Sequence, residues 1–268
     1  MLLNITPSGN EFQRKMLLEH SSNARNIFLY MLALIPLSIL IGNYYAKPKV
    51  DGAVNAYLRN VAMIVVDNDG NSVSQGTAFL VSNQSGITNG YLFTARHVID
   101  HTQTKQVSLI FPYIKNENGA PLETTASIVW TTDVAFDGSD LNTLRYDVAL
   151  LKLDDLSVLP EDISGFMIGT ETEVKQKIAI CCFPSSEGYN VDGQIANTSF
   201  QGIEDLFTLS FQIDKGASGA PIYDESKGEV LGIAIASAVH TDLQNICISM
   251  KRALELMDQA GFKGLLSE

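Results

Sequence analysis

The chain has 268 residues, 46% of them hydrophobic, and a formal net charge of −12. That composition supports a sizeable core and excludes a low-complexity or disordered protein. Residues 51–268 hold 28 of the 30 acidic and 13 of the 18 basic side chains, a net of −15; such a field repels phosphate backbones, so nucleic acid is not an expected partner.

Residues 1–25 read as a tail. The segment Asn26 to Ala46, "NIFLYMLALIPLSILIGNYYA", carries no charge. Its length approaches the roughly 20 residues that a helix needs to cross a bilayer. Tyr44 and Tyr45 stand where an interfacial aromatic belt would lie. The expectation is a transmembrane anchor over 26–46, with a cleaved signal peptide and a buried core helix as alternatives. The 25 residues ahead of the run are long for a signal peptide, and Tyr44-Tyr45-Ala46 is a poor cleavage site. Arg14, Lys15 and Arg25 precede the run, and Lys47, Lys49 and Arg59 follow it. The positive-inside count therefore leaves orientation open.

After about residue 55 the pattern becomes period-two. "NVAMIVVDNDGNSVSQGTAFLVS" reads as strand, turn, strand, with the turn at Asp67 to Gly70. Gly70 comes too early in "DNDGNS" for a calcium loop, which wants glycine at position 6 and glutamate at position 12. "QVSLIFPYI", "ASIVWTT", "DVALLKL", "KIAICCF", "LFTLSFQI" and "EVLGIAIASA" read as further strands between Gly, Pro, Asn and Asp breaks. Many short strands at this spacing point to a sandwich or barrels. "SMKRALELMDQAGF" is the clearest helix, with Met250, Leu254 and Met257 on one side and Gly261 as its stop. Cys181, Cys182 and Cys247 form no zinc or disulfide framework. Either one of the adjacent pair bridges to Cys247, or all three are buried thiols on strands.

Three stretches carry candidate chemistry. In "DKGASGAPIYD", Ser218 sits among small residues, as a surface turn or as a nucleophile whose neighbouring amides must reach a substrate. A serine hydroxyl needs a base to attack. Of the four histidines, His97 in "LFTARHVID" stands where a strand ends and a helical turn begins. Asp147 in "RYDVALLKL" heads an apolar strand, an awkward place for a charge unless something buried needs it. A zinc alternative uses His97 and His101, four residues apart, but Val98 stands where the zincin pattern has glutamate, and no third ligand is obvious.

"TARHV", "DVALLKL" and "KGASGAP" resemble the histidine, aspartate and nucleophile motifs of chymotrypsin-like serine peptidases, and their chain order is that family's order. The resemblance covers roughly residues 55–260 and is strongest to the compact bacterial and HtrA-type members. It implies an all-β fold of two antiparallel six-stranded barrels with a C-terminal helix, following the N-terminal transmembrane helix. Barrel one would span about 55–155, barrel two about 170–248 and the helix about 249–260, within a peptidase domain at 51–268. It implies a serine endopeptidase acting on a polypeptide substrate without cofactor or metal. Ser218 would attack, His97 would move the proton, Asp147 would orient the ring, and the Gly216 and Ser218 amides would form the oxyanion hole. Gln212, Ile213, Asp214 and Lys215, with Ile235, Ala236 and Ser237, would wall the substrate pocket. Ala217 stands where many digestive members have an aspartate that pairs with a freed N-terminus, so activation by N-terminal cleavage is not expected. The resemblance also favours an extracytoplasmic, periplasmic domain, with the cytoplasmic face as the alternative. A catalytically silent peptide-binding module and an esterase-like acyl hydrolase are the rival functions on the same fold. Oligomeric state is not legible.

Overall fold

The structure, a computed structural model, describes residues 56–68, 72–100, 105–135, 140–183, 188–235 and 245–266. The expected anchor over 26–46 lies outside the described residues. No helix among the described residues is long and apolar enough to cross a membrane.

Six antiparallel strands close the first barrel: β1 (Val61–Asn68), β2 (Ser72–Ser82), β3 (Thr88–Thr94), β4 (Gln106–Lys115), β5 (Pro121–Thr131) and β6 (Ala149–Leu153). Their order around the barrel is β1-β2-β3-β6-β5-β4. Alternation sets which side faces in. Along β4, Val107, Leu109 and Phe111 are buried, while Gln106 and Ser108 are exposed, as a period of two on a pleated strand requires.

The second barrel is built from β8 (Lys177–Cys182), β9 (Tyr189–Asn197), β10 (Leu206–Leu209), β11 (Pro221–Asp224), β12 (Glu229–Ala234) and β13 (Ile246–Ser249). The order β11-β8-β9-β10-β13-β12 is closed by β11 on β12, and the short strand β7 (Met167–Ile168) adds in parallel to β12. Here β8 reads as a continuous apolar run because it is buried on both faces. Ile178, Ile180 and Cys182 belong to a second-barrel core with Phe207 and Leu231; Ala179 and Cys181 belong to the larger core shared with the first barrel. All three cysteines are buried free thiols. The expected strands were incomplete. β9 exposes or half-buries all but Ile195, so no apolar alternation marks it. β11 opens on Pro221, and β13 runs straight into the helix that follows.

An aromatic cluster lies between the barrels. Phe166, fully buried, packs edge-on to Phe79 at 6.0 Å between ring centroids and lies 5.2 Å from Tyr223. Its backbone also bonds to the first barrel, with Phe166 N donating to Leu80 O and Ser82 N donating to Phe166 O. The C-terminal helix, Met250–Gln259, is capped by Ser249, whose hydroxyl accepts from Arg252 N at 3.2 Å. Met250, Ala253, Leu256 and Met257 form its buried face, and Leu254 is only half-buried. Arg252 is buried as well. It lies over the Tyr146 ring at 5.1 Å and shares the Asp205 carboxylate with Arg145. The helix is thereby fastened to the segment that leads into Asp147.

Two glycines test this packing. Gly219 has φ +84°, and a Cβ there would lie 2.1 Å from the Thr77 carbonyl oxygen and 2.3 Å from Thr94 Oγ1. Gly261, at φ +89°, has open space around it. Gly261→Ala should lower stability by about 1 kcal/mol from backbone strain alone. Gly219→Ala adds overpacking between the barrels and should cost about 2–4 kcal/mol. Equilibrium urea unfolding checks both; equal losses would contradict the close approach at 219.

Candidate active site

The candidate site lies where the two barrels meet. His97 belongs to a one-turn helix, Arg96–Ile99, that begins as β3 ends. Asp147 follows a 3-10 helix, Leu141–Tyr146, and precedes β6. The Thr132 hydroxyl donates to the Tyr146 carbonyl and helps hold that approach. β3 and β6 are hydrogen-bonded neighbours, with Thr94 opposite Ala149. Two residues fifty positions apart are therefore delivered to the same end of the barrel.

Asp147 is only 4% exposed, and both its carboxylate oxygens are committed to one residue. Oδ1 accepts from the His97 backbone amide at 2.8 Å, and Oδ2 lies 2.6 Å from His97 Nδ1. A carboxylate at Nδ1 selects the tautomer with its proton there and leaves Nε2 as the basic nitrogen. The buried charge therefore has a partner, which is why an aspartate is tolerated at the head of an apolar strand. The His97 side chain is 41% exposed, so one edge of the ring is open. Burial lowers its pKa, but the Asp147 charge, the Asp147 hydrogen bond and the Asp100 charge together outweigh that and raise it above 6.5. Asp100 is itself paired with Arg96 at 2.9 Å.

Ser218 is half-buried in the turn between β10 and β11. Gly216 has φ +92° and Gly219 φ +84°, a region that side chains disfavour. This turn abuts the His97 segment. A Cβ at Gly76 of β2 would lie 2.5 Å from Val98 Cγ1 and 3.2 Å from the Ser218 carbonyl oxygen; one at Gly219 would lie 2.9 Å from Ala95 N. Among the described residues, the amides of Gly216 and Ser218 donate to no protein acceptor, whereas those of Ala217 and Gly219 bond to Asp214 O and Ala234 O. The Ser218 hydroxyl makes no hydrogen bond among the described residues, and the triad is not joined here through it.

The expected pocket residues divide. Ile213 and Ile235 are buried, and Ile213 packs in the second-barrel core with Cys182 and Ala217. Gln212, Asp214 and Lys215 are exposed. The Tyr189 hydroxyl lies near Asp214, and its pKa is pushed up by burial first and then by neighbouring negative charge that includes Asp214. Ala236 and Ser237 lie outside the described residues, as does His101 of the zinc alternative. Thr77 and Thr94, whose polar atoms meet the Ser218 turn, were missed from sequence. Their only signal was the run of small residues at Gly76 to Ala78.

A trypsin-like peptidase domain model matches residues 76–233, more than half of the chain. The chain belongs to the trypsin-like peptidase family. Among solved structures, the active form of the Rv3671c protease from M. tuberculosis is 18% identical, with a TM-score of 0.52, covering 77% of this chain and 82% of that one. A serine endoprotease from Yersinia pestis is 19% identical, with a TM-score of 0.53, covering 80% and 69%. A scabies mite inactivated protease paralogue is 8% identical, with a TM-score of 0.59, covering 78% and 97%. These likenesses establish the shared fold, which both active and inactivated proteins adopt. No curated protein matches the sequence.

The upward shift of His97 predicts its titration. Followed by NMR of the ring protons, the midpoint should lie above 6.5, and Asp147→Asn should bring it below 6.5 because burial, the largest influence, is then opposed only by the weaker Asp100 charge. The charged ring contributes stability below the unfolded-state value, and that contribution fades as pH rises through the folded-state value. A midpoint that Asp147→Asn leaves unchanged would contradict the pairing.

Proposed function

We propose that this trypsin-like peptidase domain is an active serine endopeptidase, with Ser218 as nucleophile, His97 as base and Asp147 as orienting carboxylate. The observation that carries the reading is the doubly bonded Asp147–His97 pair in the first barrel, with a glycine-rich serine turn of the second barrel held against β2 and two of its amides unbonded among the described residues. Ser218 Oγ attacks the scissile carbonyl carbon while His97 Nε2 takes its proton. The carbonyl oxygen becomes an oxyanion facing the Gly216 and Ser218 amides. Stabilisation by such a donor is worth about 3–4 kcal/mol. His97 then passes the proton to the leaving amine, an acyl-enzyme remains on Ser218, and water attacks in turn with His97 again as base. Asp147 keeps the reactive tautomer in place and stabilises the charged ring.

If Ile213 and Ile235, both apolar and buried, wall the pocket as the family resemblance implies, an uncharged residue is favoured ahead of the scissile bond. Asp214, near the Tyr189 hydroxyl, gives no support to a basic preference. A further step is proposed from sequence: the uncharged run 26–46 would tether the domain to a membrane, and the family resemblance, not the charge count, favours the extracytoplasmic side. A silent peptide-binding module is the second reading, favoured by a Ser218 hydroxyl that makes no hydrogen bond among the described residues.

A fluorophosphonate probe separates the two readings. The wild-type protein should gain a covalent adduct at Ser218, located by mass spectrometry, and Ser218→Ala should gain none. An unreactive wild type that remains folded would support the silent module.

A further inference from the structure

Resting on the peptidase reading, we infer that Thr77 of the first barrel is the positioning residue that holds the oxyanion-binding turn of the second barrel in its working conformation. Thr77 is fully buried in β2, and its polar atoms converge on that turn. Its amide donates to the Ser218 carbonyl at 2.8 Å. Its hydroxyl donates to the Gly216 carbonyl at 2.9 Å. Its carbonyl accepts from Thr94 Oγ1 at 2.7 Å and is the atom that a Cβ at Gly219 would strike. Thr94 ends the strand that leads to His97.

The three bonds do different work. The backbone amide of Thr77 fixes the Ser218 end of the turn and would survive any substitution but proline. The Thr94 bond ties Thr77 itself to the His97 strand. The hydroxyl alone reaches Gly216, the position with the least conformational restraint of its own. A glycine at φ +92° has no side chain to hold it there, and it reaches the alternative negative φ region without penalty. Rotation about that residue would turn its amide away from the oxyanion position. The Thr77 hydroxyl opposes the rotation by anchoring the carbonyl of the same residue. Because the amides act only when the oxyanion forms, this anchor should affect the chemical step more than the fold.

The test uses the full chain and a fluorophosphonate probe, with the second-order rate of Ser218 phosphonylation measured per folded molecule and the folded fraction taken from urea unfolding. Thr77→Val keeps the shape and the backbone amide and removes only the hydroxyl; Thr77→Ser keeps the hydroxyl. Thr77→Val should react about tenfold more slowly, the rate equivalent of one buried neutral hydrogen bond. Thr77→Ser should stay within about threefold of wild type, a rescue that a packing role alone would not give. If Thr77→Val fails to fold, Thr77→Ala removes the same hydroxyl with less bulk and carries the same expectation. A wild-type rate in the hydroxyl-free variant overturns the inference, as does an equal fall in the valine and serine variants. Those outcomes leave a reactive wild type. A folded wild type that does not react at all would instead overturn the peptidase reading and this inference with it.

Discussion

The turn that carries Ser218 comes so close to β2 that the Gly219 backbone leaves no room for a side chain against the Thr77 carbonyl. That approach is where the two halves of the candidate site meet. His97 and Asp147 come from the first barrel, and Ser218 comes from the second. A separation larger by the size of one methyl group would break the hydrogen bonds that join the serine turn to Thr77 of β2. Small residues on both sides make the contact feasible: Gly76 lets Val98 and the Ser218 carbonyl crowd β2, and Gly219 lets the turn itself come in. The large inter-barrel core, in which Phe79, Phe166 and Tyr223 meet, provides the apolar burial that keeps the halves together.

Against that frame, the electrostatics of the first-barrel half are self-contained. Asp147 is buried and satisfied entirely by His97, once through the backbone and once through the ring. A buried carboxylate with one such partner both orients the imidazole and raises its proton affinity. Removing it would leave a half-buried ring with burial as the main influence. The segment ahead of Asp147 is secured from behind by Arg145, Asp205, Arg252 and the Tyr146 ring, which bring the C-terminal helix into the same scaffold.

The motifs at His97, Asp147 and Ser218 were legible in the sequence because each is a short string with its glycine, proline or strand context intact. Barrel strands were legible where one face is wet, as in β4, or where both faces are dry, as in β8. β9 was not, because its side chains are mostly exposed or half-buried and leave no alternation. The supporting contacts were not legible either. Thr77 and Gly216 are 139 positions apart, and the Arg252–Asp205 pair joins a helix to a loop. Nothing local marks a buried threonine hydroxyl or a buried arginine as a partner of a distant turn.

The most direct measurement is a crystal structure of the full chain after reaction with a fluorophosphonate. The proposed mechanism predicts phosphorus bonded to Ser218 Oγ, with one phosphonyl oxygen about 2.7–3.1 Å from both the Gly216 and Ser218 amide nitrogens, and His97 Nε2 facing the adduct with Asp147 still at Nδ1. An adduct on any other residue, or a Ser218 adduct whose oxygens point away from those two amides, would contradict the site described here.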